Sequence, residues 1–142
     1  MTRTLFVLAA GVALAGLTPA AHDTHGKAKV TTLSARDVVE KVDGKDARVT
    51  TVEVTIEPGQ SSAPHRHPGP VFGYVLEGEY EWAIDEQKVK TLKAGETFYE
   101  PTGSLHRVSR NPSAESRTRV LAVVLHPRDA RQLVIPEPAK KE

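Results

Sequence analysis

With 142 residues, 19 lysines and arginines against 18 aspartates and glutamates, and no cysteine, the chain is close to neutral and long enough for one domain with a sizeable core. Near-neutrality argues against nucleic acid or an anionic membrane as a partner, because both require a basic surface. The lack of cysteine excludes disulfides and a cysteine-linked lipid anchor.

The chain begins MTRTLFVLAAGVALAGLTPAAHD. Arg3 supplies a positive start, Leu5 to Leu17 an apolar run of thirteen residues, and Thr18-Pro19-Ala20 a small-residue cleavage site. This is the pattern of a secretory signal peptide over residues 1–20, with an apolar run too short for a membrane-spanning helix. Cleavage after Ala20 leaves 122 residues with 18 basic and 18 acidic side chains, an exported protein that is periplasmic or extracellular. Residues 21–29 hold His22 and His25 without apolar periodicity and read as a flexible leader.

Residues 30–42 allow an edge strand with a short helical or irregular piece around Ala35 to Lys41. From Arg48 to Glu57 the pattern sharpens: Val52, Val54 and Ile56 alternate with Thr51, Glu53 and Thr55, the mark of a strand with one buried face. Val71 to Leu76 and Tyr80 to Ile84 flank Glu77-Gly78-Glu79, a tight hairpin turn. Lys88 to Leu92 adds a short strand, and Thr97 to Tyr99 leads into the Pro-Thr-Gly turn and His106. Val120 to Leu125 is a continuous apolar run, expected as a strand covered on both faces. Gln132 to Ile135 reads as a last edge strand, closing a domain over residues 30–135 and leaving 136–142 as a frayed tail. Many short strands, recurrent Gly and Pro, no long helix and no internal repeat fit an all-β fold of two packed antiparallel sheets.

Function concentrates in two stretches. In GQSSAPHRHPGPVFGYVLEG, from Gly59 to Gly78, the surrounding prolines disfavour a helix, so His65 and His67 lie on one side of an extended segment. Two imidazoles so placed can share a metal ion, and His106, at the end of the second stretch GETFYEPTGSLH, is a third candidate ligand. Together the stretches resemble the two motifs of the cupin superfamily. Gly59, His65, His67 and Gly78 fall in register with the first motif. Gly95, Pro101, Gly103 and His106 match the second, with Asn111 one residue late. The resemblance implies a jelly-roll barrel, also called a double-stranded β-helix, and a divalent transition metal held by His65, His67 and His106. It departs at one point: the family's metal-binding glutamate belongs at Val71 or its neighbour Phe72, and neither can ligate. Some cupin dioxygenases use three histidines with iron and no glutamate, so the departure leaves oxygen chemistry open. Iron, zinc, copper, manganese and nickel all remain candidates. If residue 71 has the family's register, Val71→Glu should tighten metal binding.

Around the histidines, Glu100 is a candidate base or supporting partner, set against a solvated loop carboxylate. Tyr74 should face away from the site, and Phe98 and Tyr99 should be core residues. Arg66 and Arg107 read as rim residues, Gln60 as a side chain able to reach the site, and His126 as a surface residue. Two classes of function follow. One is a small metal-dependent enzyme, oxygenase-like or isomerase-like, acting on a small organic molecule. The other is a non-catalytic cupin that binds a metal or small ligand. A homodimer is expected by the resemblance.

Overall fold

The computed structural model describes residues 28–138; the expected signal peptide and most of the leader lie outside them. Among the described residues ten strands make two five-stranded antiparallel sheets. In chain order they are β1 (Lys29–Val42), β2 (Lys45–Ile56), β3 (His65–Arg66), β4 (Val71–Glu77), β5 (Glu79–Ile84), β6 (Lys90–Lys93), β7 (Thr97–Glu100), β8 (His106–Arg110), β9 (Thr118–Pro127) and β10 (Ile135–Pro136). One sheet has the order β1-β2-β9-β4-β7 and the other β10-β3-β8-β5-β6, so consecutive strands repeatedly cross between layers. This is the all-β jelly roll expected from the sequence.

Period-two patterning builds the interior. On β4 Val71, Gly73 and Val75 are buried while Phe72, Tyr74 and Leu76 are exposed, and β9 buries Val120, Ala122 and Val124. One core cluster gathers Ile56, Val75, Tyr80, Trp82, Ile84 and Val120; a second gathers Val52, Val71, Ala122 and Val124. Gly73 lies opposite Phe98, whose ring occupies the space a side chain at 73 would take: a Cβ there would fall 2.0 Å from Phe98 Cζ. The Phe98 ring so placed packs 5.5 Å from Tyr80 and 5.6 Å from Trp82, centroid to centroid. Gly78 turns the β4–β5 hairpin at φ 78°, a conformation that costs glycine little.

The piece around Ala35 to Lys41 is irregular and not helical: β1 runs through it to Val42, with a ladder irregularity at Val38/Lys41 and another at Thr32/Ser34. Three local expectations are corrected. The run Val120 to Leu125 is covered on one face only; Leu121, Val123 and Leu125 are half-buried on the outer face. Tyr99 is on that outer side too, exposed and 5.3 Å from the exposed Phe72 ring. The tail expected to fray from Pro136 is tied as far as Glu137, whose N–H donates to Pro64 carbonyl oxygen and whose carboxylate pairs with Arg66.

Candidate metal centre

Three strands of one sheet and one of the other bring the site together. His65 on β3 is paired directly with His106 on β8, and His67 follows β3 by one residue, on the same side as His65. Ring centroids lie 4.8 Å apart for His65 and His67, 4.9 Å for His65 and His106 and 6.3 Å for His67 and His106. One ligating nitrogen from each lies within 4.8 Å of the other two. The three histidines read from the sequence therefore form one buried cluster.

Each ring is oriented by an outer hydrogen bond. Nδ1 of His65 lies 2.8 Å from the Ala63 carbonyl oxygen, and Nδ1 of His67 lies 2.7 Å from that of Leu133. A carbonyl oxygen only accepts, so both Nδ1 atoms carry the proton and both Nε2 lone pairs are free to bind. For His106 the roles are reversed. The Tyr80 hydroxyl donates to Ser109 Oγ at 2.9 Å, so at 3.2 Å it accepts from His106 Nε2, leaving Nδ1 as the free lone pair.

Glu100 closes the cluster. It is 1% exposed, the last residue of β7, and not a solvated loop carboxylate. Its Oε1 lies 3.2 Å from His106 Nδ1 and accepts a hydrogen bond from Trp82 Nε1 at 3.1 Å; its Oε2 lies 3.6 Å from His67 Nε2. Among the described residues the buried side-chain atoms without a hydrogen-bond partner are Glu100 Oε2 and His106 Nδ1. The approach of His106 Nδ1 to Glu100 is thus close in distance without hydrogen-bond alignment. Two acceptors left unsatisfied on facing side chains are an arrangement that a cation would relieve.

Burial sets the charge states. It lowers the pKa of His65, of His67 to about 4 and of His106 to about 3, the last two depressed further by the neighbouring imidazoles. The rings are therefore neutral near pH 7, the form that ligates metals. Burial also pushes the Glu100 carboxyl up to about 7, partly offset by the Trp82 hydrogen bond, and raises the Tyr80 hydroxyl. Three imidazole lone pairs beside a carboxylate fit a divalent transition ion by donor type and by the two unpartnered atoms.

The cluster opens into a cavity of about 520 Å³. Its walls are largely aliphatic, including Val52, Val54, Val71, Val120 and Val124, and no lysine or arginine is among the described lining residues. Val71 faces this cavity while Phe72 is 52% exposed, so of the two positions that the motif offers for the glutamate, residue 71 is on the cavity side. Other candidates stand elsewhere. Tyr74 faces outward as expected. Arg66 is engaged with Glu137 and the Gly103 carbonyl, and Arg107 with the carbonyls of Asp85 and Gln87. Gln60 is not among the cavity-lining residues. His126 is buried, not a surface residue: β9 runs two residues beyond the apolar run, and Nε2 meets Thr50 Oγ1 at 2.9 Å. Asn111, fully buried, has a structural role: its Nδ2 donates to the carbonyls of Ile56 and Ser116. Sequence reading did not connect Tyr80 or Trp82 to the site. Their shared parity on β5, the strand beside β8, was the available signal.

Comparison with known proteins supports this architecture. No curated protein matches the chain. Among solved structures, an uncharacterized conserved protein with a double-stranded β-helix domain from Klebsiella pneumoniae is similar, with TM-score 0.59 and 23% identity over 79% of this chain and 87% of that one. The DMSP lyase DddQ from Ruegeria pomeroyi aligns with TM-score 0.60 and 17% identity; the alignment covers 87% of this chain and 58% of the lyase. The polyketide cyclase RemF from Streptomyces resistomycificus aligns with TM-score 0.54 and 22% identity over 87% and 89% of the two chains. At these identities the likeness is one of fold. The family model described as a cupin domain matches residues 52–124, just over half of the chain, and the chain therefore belongs to the cupin family.

Proposed function

We propose that this cupin binds one divalent transition metal through His65, His67 and His106 and acts as a metal-dependent enzyme on a small, largely apolar molecule with one metal-chelating head. The observation that carries the reading is the opening of the histidine cluster into an aliphatic cavity of about 520 Å³. A structural metal site is closed by protein ligands, whereas a site facing a cavity leaves positions for a ligand. Bound there, a divalent ion would supply Lewis acidity toward a developing enolate or oxyanion. The chain itself contributes orientation and dryness: backbone carbonyls and Tyr80 hold the imidazoles, and the valine walls exclude water and receive the apolar body. With no cationic side chain on the described walls, a second anionic group on the substrate would find no partner there. Two fold relatives are named as a lyase and a cyclase, which accords with small-molecule chemistry on this scaffold.

Elemental analysis of protein purified from its native compartment should find about one equivalent of transition metal, and loading with Co(II) should give a visible spectrum altered by tropolone, an apolar bidentate chelator. Metal-free native protein that also fails to take up Co(II) would sink the reading. A second reading, a non-catalytic binding cupin, is favoured by one observation: Glu100 is the sole carboxylate on the described cavity wall, so a reaction that needs a pair of carboxylates finds no second one there. Tropolone binding without turnover of any chelating substrate class would favour that reading. Export and homodimerisation belong to the same proposal. N-terminal sequencing should find a start near Ala21, and light scattering should find a dimer; an intact Met1 or a concentration-independent monomer would remove the respective part.

A further inference from the structure

We propose that Glu100 is the fourth protein ligand, a carboxylate supplied from β7 in place of the one missing from β4. The inference rests on the metal-binding reading above and extends it to a residue outside the family's pattern.

Strand register carries the argument. Val71 on β4 and Glu100 on β7 are direct partners in the β4–β7 ladder. Directly paired residues in an antiparallel sheet point to the same face with Cβ atoms about 4.5–5.5 Å apart. A carboxylate at residue 100 therefore enters the same side of the cavity as one at residue 71, from the adjacent strand, and both residues line that cavity. Glutamate is long enough to cover the offset, and Glu100 does so: its oxygens lie 3.2 Å from His106 Nδ1 and 3.6 Å from His67 Nε2. Trp82 Nε1 donates to Oε1 and fixes the carboxylate orientation, leaving Oε2 with no hydrogen-bond partner. The same holds for the lone pair of His106 Nδ1. A carboxylate serving only as an outer partner would spend its lone pairs on N–H donors, as Asn111 Oδ1 does by accepting from the Ser113 N–H. Glu100 instead holds one oxygen free toward the imidazole lone pairs, which is the disposition of a ligand.

The test is a ligand swap across the ladder, read by Co(II) titration and by the Co(II) ligand-field spectrum, with metal-free melts to verify that each variant folds. Glu100→Gln should weaken Co(II) binding by more than the roughly 10–100-fold typical for loss of an outer partner and shift the ligand-field spectrum. The double variant V71E/E100V should return affinity to within about 10-fold of wild type, because the carboxylate re-enters from β4. Val71→Glu alone should not tighten binding, since the carboxylate position is already served, in contrast to what the motif alone implies. The inference is overturned by Glu100→Gln retaining wild-type spectrum and affinity, by a folded double variant that does not recover, or by Val71→Glu tightening binding 10-fold. In those outcomes wild type still binds Co(II) and His106→Ala does not, so the three-histidine site survives. Wild type that takes up no Co(II) defeats both.

Discussion

Two buried histidines in this protein have different surroundings. His106 is 5% exposed and His126 is 4% exposed, and each has one ring nitrogen near a hydroxyl group. At His126 the other nitrogen is also served, with Nδ1 2.8 Å from the Pro127 carbonyl oxygen, and the ring is fully accounted for inside the protein. At His106 the second nitrogen has no hydrogen-bond partner and faces a carboxylate and two further imidazoles. Burial alone does not mark a functional histidine. An oriented lone pair left unsatisfied beside others of its kind does.

The largest expected effect separates these two residues. His106→Ala should abolish metal binding and with it the stabilisation metal confers, about 2.7 kcal/mol at a hundredfold excess of metal over Kd. His126→Ala should keep the metal, yet lower the stability of the metal-free protein by about 1–3 kcal/mol through the unpaired Thr50 hydroxyl and the lost packing. Isothermal titration and thermal melts of the two variants check both halves. A His126→Ala protein that lost its metal would erase the distinction.

Acidification gives the next effect. His65, His67 and His106 have pKa values depressed by burial, the latter two to about 4 and about 3, against an ordinary 6.5. Between the ordinary value and the depressed ones, the unfolded chain takes up protons that the folded chain refuses. Their contribution is therefore complete above about 6.5 and lost progressively as pH falls. Glu100 acts in the opposite sense: raised to about 7 from 4.5, its contribution is complete below 4.5 and lost as pH rises through 7. Three groups against one leave a net loss on acidification from about 6.5 to 4.5. Melts of the metal-free protein at several pH values should show it, and His106→Ala should flatten the dependence. A melting temperature that rises over this window would contradict the neutral-cluster description.

Smaller effects belong to the residues that aim the candidate ligands. Trp82→Phe removes the N–H that holds Glu100 Oε1, and Tyr80→Phe removes the acceptor of the His106 Nε2 proton. Each should weaken Co(II) binding about 10-fold, at the low end for an outer-sphere partner, and leave the number of bound ions at one. Affinity unchanged in both variants would show that the rings are oriented by something else.

Much of the centre was legible in the sequence because motif spacing and strand parity are local. His65 and His67 share a face through the two-residue period, and glycine and proline placement brings His106 to them on the paired strand. Glu100 was legible only as a candidate, since its partnership with Val71 depends on which strands are neighbours. Pairing also hid His126, where a His-Pro end looked like the rim of a strand that in fact continues opposite Arg48 and Ala47. The apolar run of β9 looked two-sided because hydrophobicity alone does not reveal whether anything covers the outer side. The same ambiguity misplaced Tyr99, whose ring lies on the outer surface against Phe72.

The central claim is most directly tested by a crystal structure of the metal-loaded protein with anomalous scattering collected at the edge of the bound element. The account predicts a single strong peak in contact with His65, His67 and His106, with the Glu100 carboxylate turned onto the same ion. A peak away from these imidazoles, or a metal-saturated crystal in which they bond only to one another, would contradict it.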